Sequence, residues 1–350
     1  MHLRSLHVNA IRGKVEGSLG AARGQTERRA LLVRIVDDAG CAGQGEASPL
    51  PGYSPDTVAD CARELATVDV ARLPLPDDRP TPEWIDRALS TAALWAPAAR
   101  FALETALLDW WGRHRGISVA RLLAAPAAGI RTVPLSALVA DITRAQEAYR
   151  RGIRTFKLKI SPTTFDSDLR FLQALRDAFG TAVKVRCDAN GTLPAESASR
   201  YLTALAPFEP EFVEEAVPPQ FLPKLRDSPV SLAADESLAD PSSWPAVASM
   251  CQVVVLKPTL LGGLAECLRR ARAATARGLQ LTVTHTFDGP VALAAAAELA
   301  AALPEPPLAC GLDLHGGLAA WPVTSVRQIR AAHATSAGEP GLGLPDIAPE

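Results

Sequence analysis

The feature that most limits how this chain can fold is a series of short apolar segments that begins near residue 132. Helical patterns separate most of them, for example 166–179, 264–277 and 291–303. Near-continuous apolar runs are typical of strands covered on both faces. The eight segments are 133–139, 156–160, 183–190, 212–217, 230–237, 253–258, 279–286 and 309–316. Their alternation with helices predicts an α/β fold, a parallel (β/α)₈ barrel of the TIM type.

A doubly wound open sheet is the main alternative to the barrel. That fold commonly carries a glycine-rich turn, G-x-G-x-x-G, directly after its first strand. The sequence has no such motif after the segment 133–139. The barrel is therefore the preferred interpretation.

The residues before the barrel have a different pattern. Segments 3–11 and 30–37 alternate as in an antiparallel sheet, and three helical patterns follow them before residue 115. A chain of 350 residues is long enough for a large barrel and a smaller domain. We expect an N-terminal α+β capping domain over 1–115, a barrel over 130–317, and a tail, about 318–350, that packs on the capping domain.

The composition limits the classes of partner and the cellular compartment that we expect for this protein. The formal net charge is −2 and no polybasic run is present, which argues against nucleic acid and against a membrane surface. The N-terminus lacks the apolar segment of a signal peptide, and the six cysteines form no CxxC pair. We expect a cytoplasmic protein with reduced thiols that acts on a small molecule; assembly into a homo-oligomer is compatible with the sequence.

Ionisable residues stand at the carboxyl ends of five consecutive predicted strands. In a barrel these ends form the mouth where active sites are built. A lone aspartate there is most often a helix cap or a turn former, so the argument rests on joint placement. The residues, strand by strand, are Lys157 and Lys159, Asp188 and Asn190, Glu214 and Glu215, Asp235 and Glu236, and Lys257.

Such a ring of charges indicates a particular chemistry. Three carboxylates on neighbouring strands repel each other unless a cation neutralises them, and hard oxygen ligands suit Mg²⁺, with Mn²⁺ as a substitute. A bound divalent ion can hold a substrate carboxylate and stabilise the enediolate that forms when the α-proton leaves. A lysine can be the base if its pKa is lowered by burial and nearby cations. Strand alternation lets Lys157 and Lys159 both point inward.

The motifs at these positions resemble those of the muconate-lactonizing branch of the enolase superfamily. They are K-L-K at 157–159, D-A-N at 188–190, V-E-E at 213–215, D-E-S at 235–237 and L-K-P at 256–258. The resemblance implies that Asp188, Glu214 and Asp235 bind Mg²⁺. It also implies that Lys159 is the acid/base lysine and Lys257 the opposing lysine, and Lys157 joins them as a third catalytic candidate.

Two further segments resemble those of o-succinylbenzoate synthases: G-E-A-S-P-L-P-G-Y-S at 45–54 and L-K-P-T-L-L-G-G at 256–263. The implied reaction is syn dehydration of 2-succinyl-6-hydroxy-2,4-cyclohexadiene-1-carboxylate to o-succinylbenzoate, a step of menaquinone biosynthesis. The implied partner is thus a small carboxylate. The candidate substrate-binding residues are Asn190, Pro51, Tyr53, Gly262, Gly263, His285 and Asp313, together with the glycine-rich loop 17–25.

Alternatives within and outside the branch stay open. An N-succinylamino acid racemase or a dipeptide epimerase needs the same metal and the same two lysines, and a non-catalytic binding barrel is a further possibility. Ala216 follows Glu215 where relatives commonly have proline. His285 resembles the histidine base of mandelate-racemase-like members, but those pair it with an aspartate on the sixth strand, where this chain has Lys257. The roles of Asp313 and His315 stay undecided.

Overall fold

The N-terminal part of the chain is an antiparallel sheet covered by helices. The computed structural model describes residues 2–16, 26–76, 82–124, 129–321 and 325–347; the predicted substrate loop 17–25 lies outside them. The three strands pair in chain order and are β1 (Leu3–Lys14), β2 (Glu27–Asp37) and β3 (Ala42–Ala47). The helices that follow are α1 (Val58–Leu65), α2 (Pro82–Thr91), α3 (Pro97–Arg115) and α4 (Val119–Leu123).

Strand β3 was not predicted because its sequence, AGQGEA, has low strand propensity. Its glycines have a packing role. A Cβ on Gly43 would lie 2.1 Å from the carbonyl oxygen of Ala106, and one on Gly45 would lie 1.8 Å from that of Ala102. The backbone of α3 therefore rests directly on β3, which only glycine permits.

The second part of the chain alternates strands and helices. Its parallel sheet runs in the order of the chain from β5 to β11, and its strands are β5 (Ser136–Leu138), β6 (Thr155–Lys159), β7 (Lys184–Asp188), β8 (Phe212–Glu214), β9 (Leu232–Ala234), β10 (Val253–Leu256) and β11 (Gln280–Val283). The helices are α5 (Ile142–Arg150), α6 (Phe165–Phe179), α7 (Ala198–Leu205), α8 (Trp244–Met250), α9 (Pro258–Leu261), α10 (Leu264–Thr275) and α11 (Pro290–Ala302). A 3₁₀ segment, Pro219–Leu225, connects β8 to β9.

The eighth predicted strand closes the ring through a short contact. Cys310 forms a parallel bridge with Leu135, and Gly311 forms one with Thr284. The Cys310 amide donates to the carbonyl of Pro134 at 2.7 Å, and the Gly311 amide donates to that of Val283 at 2.9 Å. The segment thus hydrogen-bonds to the chain at both edges of the sheet. The predicted (β/α)₈ barrel with an N-terminal α+β capping domain is confirmed.

The barrel strands end earlier than predicted, and the backbone conformation at the ends of two of them explains why. Asn190 and Glu215 have φ of 45° and 41°, a left-handed backbone that cannot continue a strand. The carboxyl ends of β7 and β8 turn there, and β9 ends just before Asp235. Some of the residues predicted to lie on strands, namely Asn190, Glu215 and Asp235, therefore lie on the turns that follow the strands.

The C-terminal residues return to the first domain and to α11. Two short strands, β12 (Ile329–Arg330) and β13 (His333–Ala334), form a small antiparallel sheet with β4 (Val133–Pro134). Asp346 forms an ion pair with Arg34 of β2. Every residue of α11 is buried, so this helix has no exposed polar face. Within the ranges described, no helix has both the length and the apolar character that crossing a bilayer requires.

Candidate active site

Three carboxylates converge at the carboxyl ends of β7, β8 and β9. Asp188, Glu214 and Asp235 each offer an oxygen, and these oxygens lie within 4.8 Å of one another. All three residues are buried. The strand register explains the convergence, because Asp188 pairs with Glu214 across β7 and β8, and Asp235 follows the last residue of β9.

Three lysines surround this carboxylate cluster. Lys157 donates to Asp188 at 2.7 Å and to Glu214 at 2.6 Å, while Lys159 donates to Asp188 from two positions further along the same strand. Lys257 donates to Asp235 from the end of β10. The ammonium groups of Lys159 and Lys257 therefore contact different carboxylates of the cluster, Asp188 and Asp235.

The charges set the protonation of the cluster. Burial disfavours the ammonium of Lys157, but Asp188 and Glu214 outweigh it and hold its pKa above the ordinary value. Burial likewise acts against the Lys257 ammonium, and Asp235 raises the pKa of that group. Burial also opposes the charge on Asp188, yet Lys157 and Lys159 lower its pKa. A lysine that acts as a base needs a lowered pKa. A cation bound to these carboxylates would neutralise their charge and repel the lysine ammonium groups, and both effects lower the pKa of the lysines.

The cluster fits a divalent cation. Its donor set consists of carboxylate oxygens alone, which Mg²⁺ prefers. Asp235 Oδ1 is buried and has no hydrogen-bond partner in the described part of the chain. Such an orphaned oxygen costs free energy unless a ligand satisfies it. Asp188, Glu214 and Asp235 are therefore the residues that would hold the metal.

Tyr53 connects the capping domain to this cluster. Its hydroxyl accepts from Lys257 and donates to Asp235 Oδ2 at 3.1 Å, although the sequence separates these residues by about two hundred positions. Burial, reinforced by Asp235, raises the pKa of the phenol. A neutral hydroxyl is thus held against the lysine and the carboxylate. Pro51, on the same loop, is exposed and does not line the cavity described below.

Two acidic residues next to the cluster have supporting contacts that sequence reasoning did not assign. Glu215 accepts from the amides of Asp235 at 2.8 Å and Ser237 at 3.2 Å, and burial raises its pKa to about 7. Glu236 accepts from Asn190 at 2.7 Å, and Asn190 accepts from Lys159 at 2.8 Å. Glu215 therefore positions Asp235, while Asn190 positions Lys159 rather than standing free for a ligand.

His285 and His315 stack at the cavity wall with ring centroids 4.7 Å apart. His285 Nδ1 accepts from the Phe287 amide at 2.9 Å, and its Nε2 lies 3.2 Å from the carbonyl of Asp313. A carbonyl only accepts, so Nε2 carries the proton and both ring nitrogens are engaged. Burial lowers the pKa of both histidines. His285 therefore lines the cavity wall with both ring nitrogens already hydrogen-bonded.

A cavity opens above the lysines. It is bounded by residues of the barrel mouth and by Leu50 and Tyr53 of the capping domain. Asp313 lines it but is bound through both carboxylate oxygens to Arg151. Sequence reasoning missed Arg144, which lines this cavity and an adjoining one that reaches Asn190. The sequence could have indicated it, because Arg144 lies in the first turn of α5, directly after the carboxyl end of β5.

Gly262 and Gly263, which were expected to contact substrate, face the capping domain instead. A Cβ on Gly262 would approach Pro97 and Arg100 at 3.6 Å, and one on Gly263 would lie 1.6 Å from Glu104 Oε2. Neither glycine lines the cavity. Their role is to let α10 start close to α3.

Comparison with known proteins agrees with this geometry. Residues 15–124 match the family model of the mandelate racemase / muconate lactonizing enzyme N-terminal domain, and residues 140–345 match that of the enolase C-terminal domain-like family. An o-succinylbenzoate synthase from Thermobifida fusca is 31% identical over 93% of this chain and 88% of its own. A hydrophobic dipeptide epimerase from Enterococcus faecalis is 27% identical over 98% of this chain and 99% of its own.

Solved structures give the same result for the fold. Muconate lactonizing enzyme from Pseudomonas fluorescens, complexed with muconolactone, superposes with a TM-score of 0.83 at 23% identity, over 98% of this chain and 96% of that one. Both family models match in the expected order along the chain, and one of them covers more than half of it. The chain belongs to the enolase superfamily, within its mandelate racemase and muconate lactonizing enzyme group.

Proposed function

We propose that this enzyme is an o-succinylbenzoate synthase that dehydrates 2-succinyl-6-hydroxy-2,4-cyclohexadiene-1-carboxylate with the help of Mg²⁺. The observation that carries the proposal is the pair of lysines, Lys159 and Lys257, on different members of one buried carboxylate cluster. When bound there, a divalent cation supplies a grip on the substrate carboxylate and stabilises the negative charge that develops on it.

The chain's own residues perform the proton transfers. Lys159 takes the proton from the carbon that bears the carboxylate, and Lys257 faces the resulting anion with its positive charge. The bond between the ring carbon and the hydroxyl oxygen then breaks. Lys159 returns its proton to the departing hydroxyl, which leaves as water, and the ring becomes aromatic. Lys157, bound to both Asp188 and Glu214, supports the arrangement of these two carboxylates.

The charges of the cavity favour an anionic substrate. Besides the lysines it is lined by Arg144 and by Asp313, whose carboxylate is already bound to Arg151. A dipeptide would need an acceptor for its ammonium group, and Asp313 is committed elsewhere. The similar protein from Thermobifida fusca, at 31% identity, is named as an o-succinylbenzoate synthase, which supports the proposal. Dehydration is therefore preferred to dipeptide epimerisation.

The runner-up is an N-succinylamino acid racemase, because its substrate has the same charges and would use the same lysines. Assays of the purified enzyme with the cyclohexadiene substrate and with N-succinylamino acids decide between the two. We expect dehydration to have the higher kcat/KM. Robust racemisation without dehydration would overturn the proposal, and inactivity in both assays would favour a non-catalytic barrel.

The metal assignment has its own test. We expect EDTA to abolish dehydration and Mg²⁺ or Mn²⁺ to restore it. Because a ligand that binds only the folded state stabilises it, Mg²⁺ should also raise the Tm of the wild type. Asp235→Asn should remove most of that rise, whereas Asp240→Asn, on the exposed turn that follows, should retain it. Full activity in EDTA would refute the assignment.

A further inference from the structure

We infer that Arg144 is a specificity-determining residue that binds a second carboxylate of the substrate, remote from the metal cluster. The inference rests on the proposed function, because it assigns the part of the site that receives the succinyl tail. Arg144 lies in the first turn of α5, where Asp141 caps the helix, and it borders both the main cavity and the adjoining one. It thus stands where the two cavities meet.

Among the residues that the structure describes, Arg144 differs from the other cations of this mouth in lacking a close partner. Its ion pair with Asp141 is long, 3.9 Å from Nε to Oδ2, and 57% of its side chain is exposed. Arg151, on the same rim, is bound at both ends of its guanidinium to Asp313. The lysines of the cavity wall are each bound to carboxylates of the cluster. Arg144 therefore has donors to offer to a ligand.

The wall beside Arg144 is apolar. The described residues expose four large apolar side chains, and two of them, Leu138 at 39% and Leu314 at 48%, border this cavity together with Arg144. An exposed apolar pair at a cavity mouth is typical of a surface that a ligand covers.

This combination defines a ligand class. Its members have one carboxylate for the metal cluster, an apolar stretch that covers Leu138 and Leu314, and a second carboxylate for Arg144. A guanidinium binds a carboxylate in a bidentate fashion, which favours a carboxylate over an amide or an alkyl end at this place. The dicarboxylate o-succinylbenzoate fits the description, since two methylenes and a ketone separate its ring from its tail carboxylate.

Calorimetric titration of the Mg²⁺-loaded enzyme with two ligands tests the inference. The ligands are o-succinylbenzoate and 2-butanoylbenzoate, which replaces the tail carboxylate by a methyl group. We expect Arg144→Gln to raise the Kd of o-succinylbenzoate by about tenfold and to leave that of 2-butanoylbenzoate unchanged. In turnover, the same variant should raise KM far more than it lowers kcat.

Arg277→Gln is the matched control, because it removes the same charge from an exposed residue before β11, at the opposite end of the barrel. It should change neither Kd. Equal weakening of both ligands by Arg144→Gln, or of neither, would overturn the inference while leaving dehydration intact. If the wild type racemises N-succinylamino acids and does not dehydrate, the proposed function fails, and N-succinyl- and N-butanoylphenylglycine then test Arg144 in the same way.

Discussion

Lys159 is the residue on which the proposed chemistry depends most. Within the described part of the chain, its ammonium contacts only Asp188 and Asn190, so residues of the site hold its side chain. We expect Lys159→Ala to lower kcat by a factor of about 10³, the range for loss of a general base, while the far-UV spectrum and the Mg²⁺-induced rise in Tm persist. Lys184→Ala is the control and should retain activity, because Lys184 is the first residue of β7 and lies at the end of the strand opposite to Asp188. Turnover by the Lys159 variant would identify a different base.

Tyr53 makes a contact that connects the two domains at atomic scale. Because its hydroxyl bridges Lys257 and Asp235, Tyr53→Phe leaves both groups with one partner fewer. We expect kcat/KM to fall about tenfold, the effect of one hydrogen bond to a charged group, with little change in Tm. Tyr149→Phe, in which the ring packs on Phe179 away from the cavity, is the control. An unchanged pH profile and rate in the Tyr53 variant would contradict this positioning role.

At the scale of elements, the sequence predicted the strands better than it predicted their ends. Near-continuous apolar runs indicated the position of each barrel strand, because burial on both faces leaves a strong pattern. The pattern does not show where Asn190 and Glu215 turn the chain, since the sequence of polar and apolar residues does not reveal a positive φ. It also missed β3, whose glycines are selected by contact with α3 and not by strand propensity.

Among site residues the same division holds. Asp188, Glu214 and Asp235 were predictable because charge at the end of a buried strand is conspicuous. Gly262 and Gly263 were predicted to contact substrate because they belong to the same segment, 256–263, as Lys257. Only the three-dimensional structure reveals that they face α3 and not the cavity.

Gly263 provides a test of how α10 is joined to α3. Its φ is 138°, and a Cβ there would lie 1.6 Å from Glu104 Oε2. Gly278, with φ of 75°, is the control, because a Cβ at that position would have no atom within 4 Å. We expect Gly278→Ala to cost about 1 kcal/mol of unfolding free energy from backbone strain alone, and Gly263→Ala to cost about 3 kcal/mol or more. Equal losses in urea unfolding would show that the contact with Glu104 relaxes freely.

At the scale of the whole molecule, buried carboxylates of the capping domain accept hydrogen bonds from amides at the start of two barrel helices. Glu46 accepts from the amides of Gly289 at 2.6 Å and Val291 at 3.1 Å, where α11 begins. Glu104 accepts from the amide of Ala265 at 2.7 Å, in the first turn of α10. These contacts satisfy helix donors that would otherwise be unpaired in the interior. The two domains are thus joined by hydrogen bonds that require both partners to be folded.

Burial gives these contacts a pH dependence. It raises the pKa of Glu46 to about 7 and that of Glu104 to about 8, against an ordinary value of 4.5. Between pH 4.5 and pH 8 the unfolded chain releases the Glu104 proton while the folded protein retains it. The folded state then binds more protons than the unfolded one, so this group lowers the unfolding free energy as pH rises. The slope is at most about 1.4 kcal/mol per pH unit for one group.

Glu104→Gln isolates this contribution, because the amide oxygen can still accept from Ala265 but cannot ionise. We expect the stability of the variant relative to the wild type to increase as pH rises from about 5 to 8 and to level off above that range. Urea unfolding at a series of pH values measures the difference. Glu305→Gln, at an exposed position, should give a difference that does not change with pH. A flat difference for Glu104→Gln would mean that the carboxyl is already ionised in the folded protein, with α10 and the charges of Arg100 and Arg269 sufficient to stabilise it.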